Sequence, residues 1–350
     1  MVDTMALLRA LIRTARMARN TSRLAVGLPA DDEVLLDAPD ERLGPALVAA
    51  GRGEYAPAAK LLAATRESAE WESRDRYALR LAAFARSRDQ WLREWRAADP
   101  HDPDALLVRA ELAVRRGWES PARAELLREA SPLITSAAAG DPRDPVPWRI
   151  ALDHARGTNL GHTGFERLWG EAVRRSPHHY GCHVAALQYL SAAWYGSHQE
   201  CFDFAEPAAT DALPGSLVQA LPVRAAFAYL TEGGGAGVPR KRLDAAADLA
   251  IELSATYAAA DPWPAEVRNL LTYVLIRLDR WQDALEQLRL IGPYATSFPW
   301  DQVSDDPLGQ FLEMRDGVRL EVAAGLPLRA PRPDRHPVGG HDGRDRSGDH

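Results

Sequence analysis

The chain has 350 residues, of which 46% are hydrophobic, and a formal net charge of −7 at pH 7. This excess of acidic residues argues against a general nucleic-acid binder, because such proteins usually present a basic face. The 2 cysteines do not suffice for a disulfide framework, and no apolar run approaches the ~20 residues of a membrane span. We therefore expect a cytoplasmic protein without stable membrane insertion.

Helical periodicity dominates the chain, and the alternating Val, Ile and Thr patterns of strands are missing. The connections are short, which favours antiparallel neighbouring helices. The sequence therefore predicts an all-α fold. In chain order, we predict helices over residues 3–24, 41–51, 55–67, 71–86, 88–97, 104–116, 120–129, 131–139, 146–155, 164–175, 179–194, 198–211, 215–230, 240–259, 264–278, 281–291 and 306–323.

The first predicted helix, over residues 3–24, is amphipathic, with Leu8, Leu11 and Ile12 on one side and arginines on the rest. One interpretation is a helix that lies on an anionic membrane surface. The simpler interpretation, which we favour, is a first helix that caps a helical array.

Several polar residues stand where they can cap a helix. A capping side chain followed by proline favours a helix start, and this pair occurs at Asp102-Pro103, Ser131-Pro132 and Ser176-Pro177. Ser197 and Glu200 have the spacing of a capping box. These signals predict helices that begin at or just after each site.

Small residues follow short turns at three places. Ala58, Ala122 and Ala284 each lie about one turn into the second of two predicted helices. Only a small side chain at such a position allows two helix backbones to approach closely. The pattern predicts stacked antiparallel helical hairpins.

The glycine-rich stretch at residues 233–237 is the longest interior break. We predict an N-terminal helical array over residues 1–232 and C-terminal hairpins over 238–325 that continue it. Residues 326–350 are rich in Arg, Asp, Pro, Gly and His and poor in apolar residues, which predicts a disordered tail.

Parts of the chain resemble tetratricopeptide repeats. The similar segments are Val267 to Ile291, with Leu271, Tyr273, Trp281, Ala284 and Leu288, then Asp102 to Ala130, with Ala110, Gly117 and Ala122, and Ala46 to Thr65. The stretch from Trp169 to Glu206 resembles uncharacterised repeat-like proteins of actinobacteria, which offer no activity to transfer. The resemblance implies an α-solenoid, a right-handed superhelix with a concave groove for a partner protein or peptide.

A cluster of histidines and cysteines offers an alternative. Imidazole and thiolate ligands suit Zn²⁺, and His162, His198 and Cys201 lie near the same end of two predicted helices. They define an all-helical metal-binding protein or enzyme as the second hypothesis. Both cysteines and these histidines have the simpler interpretation of packing residues.

The acidic stretch Asp31-Asp32-Glu33, with Asp37, resembles the Mg²⁺ motif of helical terpene cyclases, but Leu35 stands where that motif needs a carboxylate. A solvated acidic turn is the simpler interpretation. Because no catalytic motif, phosphate-binding loop or cofactor signature is present, we expect a non-catalytic scaffold without cofactor. Its groove is expected to bind through Arg and Trp residues, which often dominate interfaces.

Overall fold

A computed structural model of the chain describes residues 24–232 and 237–325, together with residues 11, 12, 14, 15, 17 and 20. The predicted tail, most of the predicted helix over residues 3–24 and the loop residues 233–236 lie outside this range, so the predictions made on them stay predictions. None of the described helices has both the length and the apolar character needed to cross a bilayer.

The described residues form an all-helical fold. The helices are α1 (Leu43–Gly51), α2 (Ala56–Glu67), α3 (Trp71–Ala85), α4 (Gln90–Ala98), α5 (Pro103–Glu119), α6 (Arg123–Gly140), α7 (Val146–Thr158), α8 (His162–Arg175), α9 (Tyr180–Tyr189), α10 (His198–Asp211), α11 (Leu221–Thr231), α12 (Arg240–Ala255), α13 (Ala265–Arg277), α14 (Trp281–Ile291), α15 (Ser297–Trp300) and α16 (Pro307–Gly325). Short 3₁₀ helices cover Asp31–Glu33 and Leu217–Ala220, and two strands of two residues each are β1 (Leu35–Leu36) and β2 (Tyr294–Ala295). Residues 27–318 form one compact unit, and the described residues on either side of that range belong to a second.

Within the larger unit, the odd-numbered helices from α1 to α13 form a continuous layer, because each of them packs against the next odd-numbered helix. Each even-numbered helix from α2 to α12 packs against both of its neighbours along the chain, and α14 packs against α13. Helix α3 also touches α7 and α9. The odd-numbered layer therefore brings together side chains that are far apart in the sequence.

Large buried side chains fill the space between these helices. Trp91 and Trp95 of α4 are 0% and 1% exposed, and they pack with Leu62, Leu81 and neighbouring residues in one cluster. Their spacing of four residues places both on one face of the helix. Both tryptophans are therefore core residues.

The capping signals are confirmed at two of four sites. Asp102 Oδ1 accepts the amide protons of Asp104 and Ala105 at 2.8 and 2.9 Å, and Pro103 is the first residue of α5. Ser197 Oγ accepts the Glu200 amide proton at the start of α10. The predicted start at Ser176 is wrong, since Ser176 follows the last residue of α8.

The predicted break at Ser131-Pro132 is also wrong, because α6 runs through Pro132 without interruption. Leu127, Ala130, Ile134 and Ala137 lie on both sides of the proline and are all buried. Continuous packing of this stripe offsets the backbone hydrogen bond that the proline loses.

Two of the three small residues lie where the sequence predicts close helix contact. Ala58 and Ala284 are both 0% exposed. The prediction for Ala122 is wrong, since it is exposed and precedes the first residue of α6. Gly117 is the close-contact residue instead, because a Cβ there would lie 2.8 Å from Leu127 Cδ2.

The two short strands bring residues near the start of the larger unit next to the residues that precede α15. β1 and β2 pair in parallel, with Leu35 opposite Tyr294 and Leu36 opposite Ala295. Asp37 follows β1 and accepts hydrogen bonds from the backbone amide and the hydroxyl of Ser297, at 3.0 and 2.5 Å. These hydrogen bonds join residues that are 260 positions apart.

The carboxylate of Asp37 is expected to stabilise this junction in a pH-dependent way. Burial alone raises its pKa, but the Ser297 hydrogen bonds and the charge of Arg80 together lower it below the ordinary 3.8. The carboxylate therefore stabilises the fold above pH 3.8, and this contribution disappears as the pH falls through the lower folded-state pKa. We expect Asp37→Asn to lower the free energy of unfolding by about 1–2 kcal/mol at pH 7.

Urea unfolding of both proteins from pH 7 to pH 3 tests this expectation. The difference between parent and Asp37→Asn should shrink below pH 3.8. Asp89→Asn is the matched control, because its partners Arg93 and Arg116 are 70% and 47% exposed, and it should change stability by less than about 0.5 kcal/mol. A constant difference across the pH range would show that the charge of Asp37 is irrelevant.

Candidate functional site

A buried ion network fixes helix α3 against its neighbours. Arg74 is 1% exposed and pairs with Asp104 of α5 and with Asp144, which precedes α7, both at 2.6 Å. Arg149 of α7 pairs with Asp75 of α3 at 2.6 Å. Charged pairs in such a low-dielectric position need close geometry to offset the loss of hydration. The network therefore sets which face of α3 points away from the core.

Helix α9 begins directly against this network. A Cβ on Gly181 would lie 2.1 Å from Asp75 Oδ2, so the absence of a side chain allows the close approach of the two helices. His179 caps α9, since its Nδ1 accepts the Cys182 amide proton at 3.2 Å. This bond leaves the imidazole proton on Nε2, which lies 3.3 Å from the carbonyl oxygen of Trp71. The start of α9 is thus fixed on the start of α3.

Side chains from several elements meet beside this junction, and we call this set the polar face. It combines carboxylates, guanidinium groups and aromatic rings, and it is partly open to solvent, since Glu72 and Glu266 are 36% and 45% exposed. Its members are Glu72, Arg76, Tyr180, Arg224, Trp263, Glu266 and Phe298.

Arg224 of α11 is the central cation of one half of the polar face. Its Nη1 donates to Glu266 of α13 at 2.8 Å and to the Tyr180 hydroxyl at 3.1 Å, and its guanidinium lies 4.4 Å from the centroid of the Phe298 ring. Burial alone lowers the pKa of Arg224, but Tyr180 and Glu266 raise it above its ordinary value. Arg224 therefore stays charged.

Glu72 and Arg76, one turn apart on α3, form the other half. Glu72 Oε1 accepts the Tyr180 amide proton at 2.6 Å, and burial raises the pKa of its carboxyl group. Arg76 donates to the carbonyl oxygen of Trp263 at 3.1 Å, and its guanidinium lies 4.0 Å from the Trp263 ring centroid. Burial lowers the pKa of Arg76. Groups whose pKa values are shifted in this way are common at functional sites.

Comparison with protein families, curated proteins and solved structures finds no match. The functional interpretation of the chain therefore rests on the chemistry of the polar face. Aromatic rings and arginines are enriched among the residues that dominate protein interfaces. The polar face also contains carboxylates, whose negative charge lies beside the positive charge of the arginines. Such a charge pattern can select a partner by electrostatic complementarity.

The residues of the alternative metal hypothesis have separate partners. The His162 ring lies against the Tyr189 ring at 5.7 Å, and His198 lies 3.8 Å from Glu232 and packs on Tyr229. Cys201 is 1% exposed and donates to the carbonyl oxygen of Leu190. In the described part of the chain, no three His, Cys, Asp or Glu side chains lie close enough together to hold a metal ion.

Burial also makes the thiols poor ligands. It raises the pKa of Cys201 to about 12, and that of Cys182 above its ordinary value, so both thiols stay protonated at neutral pH. Cysteine binds a metal ion as its thiolate, so burial of this kind weakens a site built on either thiol. Cys182 and Cys201 occupy the packing positions that the simpler interpretation predicts.

The acidic stretch near the N-terminus likewise has structural partners. Asp31 pairs with Arg315, and Asp37 binds Ser297 and Arg80. A carboxylate that already forms an ion pair with an arginine is a poor ligand for Mg²⁺. The interpretation as a turn is consistent with this arrangement, although Asp37 also binds the first residue of α15.

The residues of the polar face had no distinctive signal in the sequence. Glu72 and Arg76 have the spacing of a solvated helical pair, and Trp263 stands between two prolines. Arg76 and Trp263 are 187 positions apart. The general expectation of groove Arg and Trp residues stays a prediction, and the fold is needed to find that Arg76 and Trp263 stack on each other.

Proposed function

We propose that this chain is a non-catalytic scaffold that binds a partner protein or peptide on the polar face. In this proposal, the odd-numbered helices form the concave side of an α-solenoid of antiparallel helical hairpins, similar to tetratricopeptide repeats. Such arrays generally use their concave surface for binding. We further propose that the protein acts in the cytoplasm of a bacterium.

The observation that carries this proposal is the composition of the polar face. Five helices and the loop residue Trp263 contribute to it, and its cations, carboxylates and rings are held by contacts on one side while remaining partly open on the other. A fixed set of side chains loses little conformational entropy on binding, which favours affinity.

Affinity purification from the native host with a matched pair of variants tests the proposal. Trp263→Ala removes the ring on which Arg76 stacks, and Trp281→Ala removes a half-buried ring at the start of α14. We expect a stoichiometric partner to co-purify with the parent and with Trp281→Ala, but to be depleted about tenfold or more with Trp263→Ala.

Thermal unfolding of each variant shows whether it is folded. If both variants retain the partner equally, the polar face is not part of the binding surface. A parent that purifies without any stoichiometric protein would contradict the scaffold proposal itself.

A further inference from the structure

Arg76 is a half-buried cation that forms no ion pair with a carboxylate among the described residues. It donates a hydrogen bond to the carbonyl oxygen of Trp263 and stacks on the Trp263 ring. Among the described residues, no carboxylate oxygen lies within 4.0 Å of its guanidinium nitrogens. A charge that is removed from water without a partner destabilises the fold. We therefore expect that Arg76 is retained at this position because it has a function.

The acidic groups that act on Arg76 are already engaged elsewhere. Glu72 accepts the Tyr180 amide proton at the positive end of α9, and Glu266 pairs with Arg224. Asp40, the third of these groups, accepts two backbone amide protons at the start of α1. Hydrogen bonds at helix starts and ion pairs both offset carboxylate charge. The positive charge of Arg76 therefore remains available to an external anion.

Arg80, one turn further along α3, differs from Arg76 in this respect. It has its own carboxylate in Asp37, at 3.3 Å, and it is 48% exposed to water. The unmatched charge on this face thus belongs to Arg76. Stacking on Trp263 holds its guanidinium plane in place, which favours a planar, directional contact.

We propose that Arg76 binds the side-chain carboxylate of an Asp or Glu residue in the partner segment. This inference rests on the proposed function and names the chemistry of its partner. A carboxylate matches the single free charge and the fork geometry of guanidinium. A phosphate is disfavoured, because the single positive charge of Arg76 would balance only one of its two negative charges.

Selection from a library of random dodecapeptides, displayed without a free C-terminal carboxylate, tests this inference. The baits are the parent, Arg76→Glu and the control Arg174→Glu, whose side chain is 65% exposed on α8. We expect the parent and the control to enrich peptides with Asp or Glu at one position. Arg76→Glu should lose this preference and enrich Lys or Arg there, a gain that an unfolded variant does not produce.

A binding measurement on one selected peptide gives the magnitude. Replacing its Asp by Asn, or its Glu by Gln, should weaken binding to the parent about tenfold or more, and should have little effect on binding to Arg76→Gln. The inference would be overturned if the parent enriches peptides without a preference for Asp or Glu, or if that preference is unchanged with Arg76→Glu. Either result would leave the scaffold proposal in place. If the parent enriches no peptide at all, both proposals fail.

Discussion

Arg149→Met is expected to lower the free energy of unfolding at pH 7 by about 3–5 kcal/mol, because it leaves the buried carboxylate of Asp75 without its cation and Glu111 with only the more exposed Arg115. Arg149 is 4% exposed and binds Asp75 through Nη2 at 2.6 Å and Glu111 through Nη1 at 2.5 Å. Asp153 lies 3.4 Å away on the same helix. These carboxylates hold the pKa of Arg149 well above its ordinary value in spite of burial. Methionine keeps most of the stem but none of the charge.

The pH dependence separates this cause from simple loss of packing. Without Arg149, the buried carboxylates should have raised pKa values in the folded state, so the folded state takes up protons more readily than the unfolded chain. The deficit of Arg149→Met should therefore shrink as the pH is lowered from 7 to 5.

Two further variants complete the test by urea unfolding. Adding Asp75→Asn to Arg149→Met should recover part of the stability, because one orphaned charge is removed. Arg174→Met, on an exposed side chain, should cost less than about 0.5 kcal/mol. A deficit that stays constant with pH and is not relieved by Asp75→Asn would show that the network contributes only packing.

The order of the helices was largely predictable from the sequence because local signals determine it. Apolar residues recur with the period of a helix along α3, α5 and α13, and Asp102 marks the start of α5 through its own hydrogen bonds. These signals act within a few residues, so a single sequence shows them.

Errors arose where tertiary packing outweighed a local signal. Pro132 is accepted inside α6 because the buried stripe continues past it. The sequence places a cap at Ser176, whereas the cap of α9 is His179, whose ring is held by the start of α3. Histidine is not among the preferred capping residues, so no propensity argument would have chosen it.

The polar face was not predictable from the sequence for a different reason. Its defining contacts join Arg76 to Trp263 and Glu72 to Tyr180, which are 187 and 108 positions apart. Periodicity within one helix does not encode which distant helix lies opposite. The charged residues of α3 therefore had the pattern of a solvated surface, although some of them form the ion network and others the polar face.

Arg268 shows the same limit in the core of the C-terminal helices. It lies within α13 and is 0% exposed. Its guanidinium donates to the carbonyl oxygen of Ser254 in the last turn of α12, to those of Tyr257 and Ala258 just after it, and to that of Leu290 at the end of α14, at 2.9 to 3.0 Å. These carbonyls lie at the negative ends of two helices. They take the place that Asp75 and Glu111 occupy around Arg149.

We therefore expect Arg268→Met to lower the free energy of unfolding by about 3–5 kcal/mol, because it leaves several buried carbonyl groups without donors. Arg268→Lys should cost less, since its ammonium group keeps the charge and up to three donors but lacks the planar fork. In contrast to Arg149→Met, both deficits should be constant between pH 5 and pH 8, because the hydrogen-bond partners that the structure describes for Arg268 include no carboxylate.

Hydrogen exchange locates the effect within the fold. The last turns of α12 and α14 should lose amide protection in Arg268→Met, while α4 and α5 should keep it, because local opening follows the contacts that are lost. Equal loss of protection throughout the larger unit would mean that it unfolds as one cooperative body, whereas a loss of stability below about 1 kcal/mol would show that water replaces the guanidinium at these helix ends.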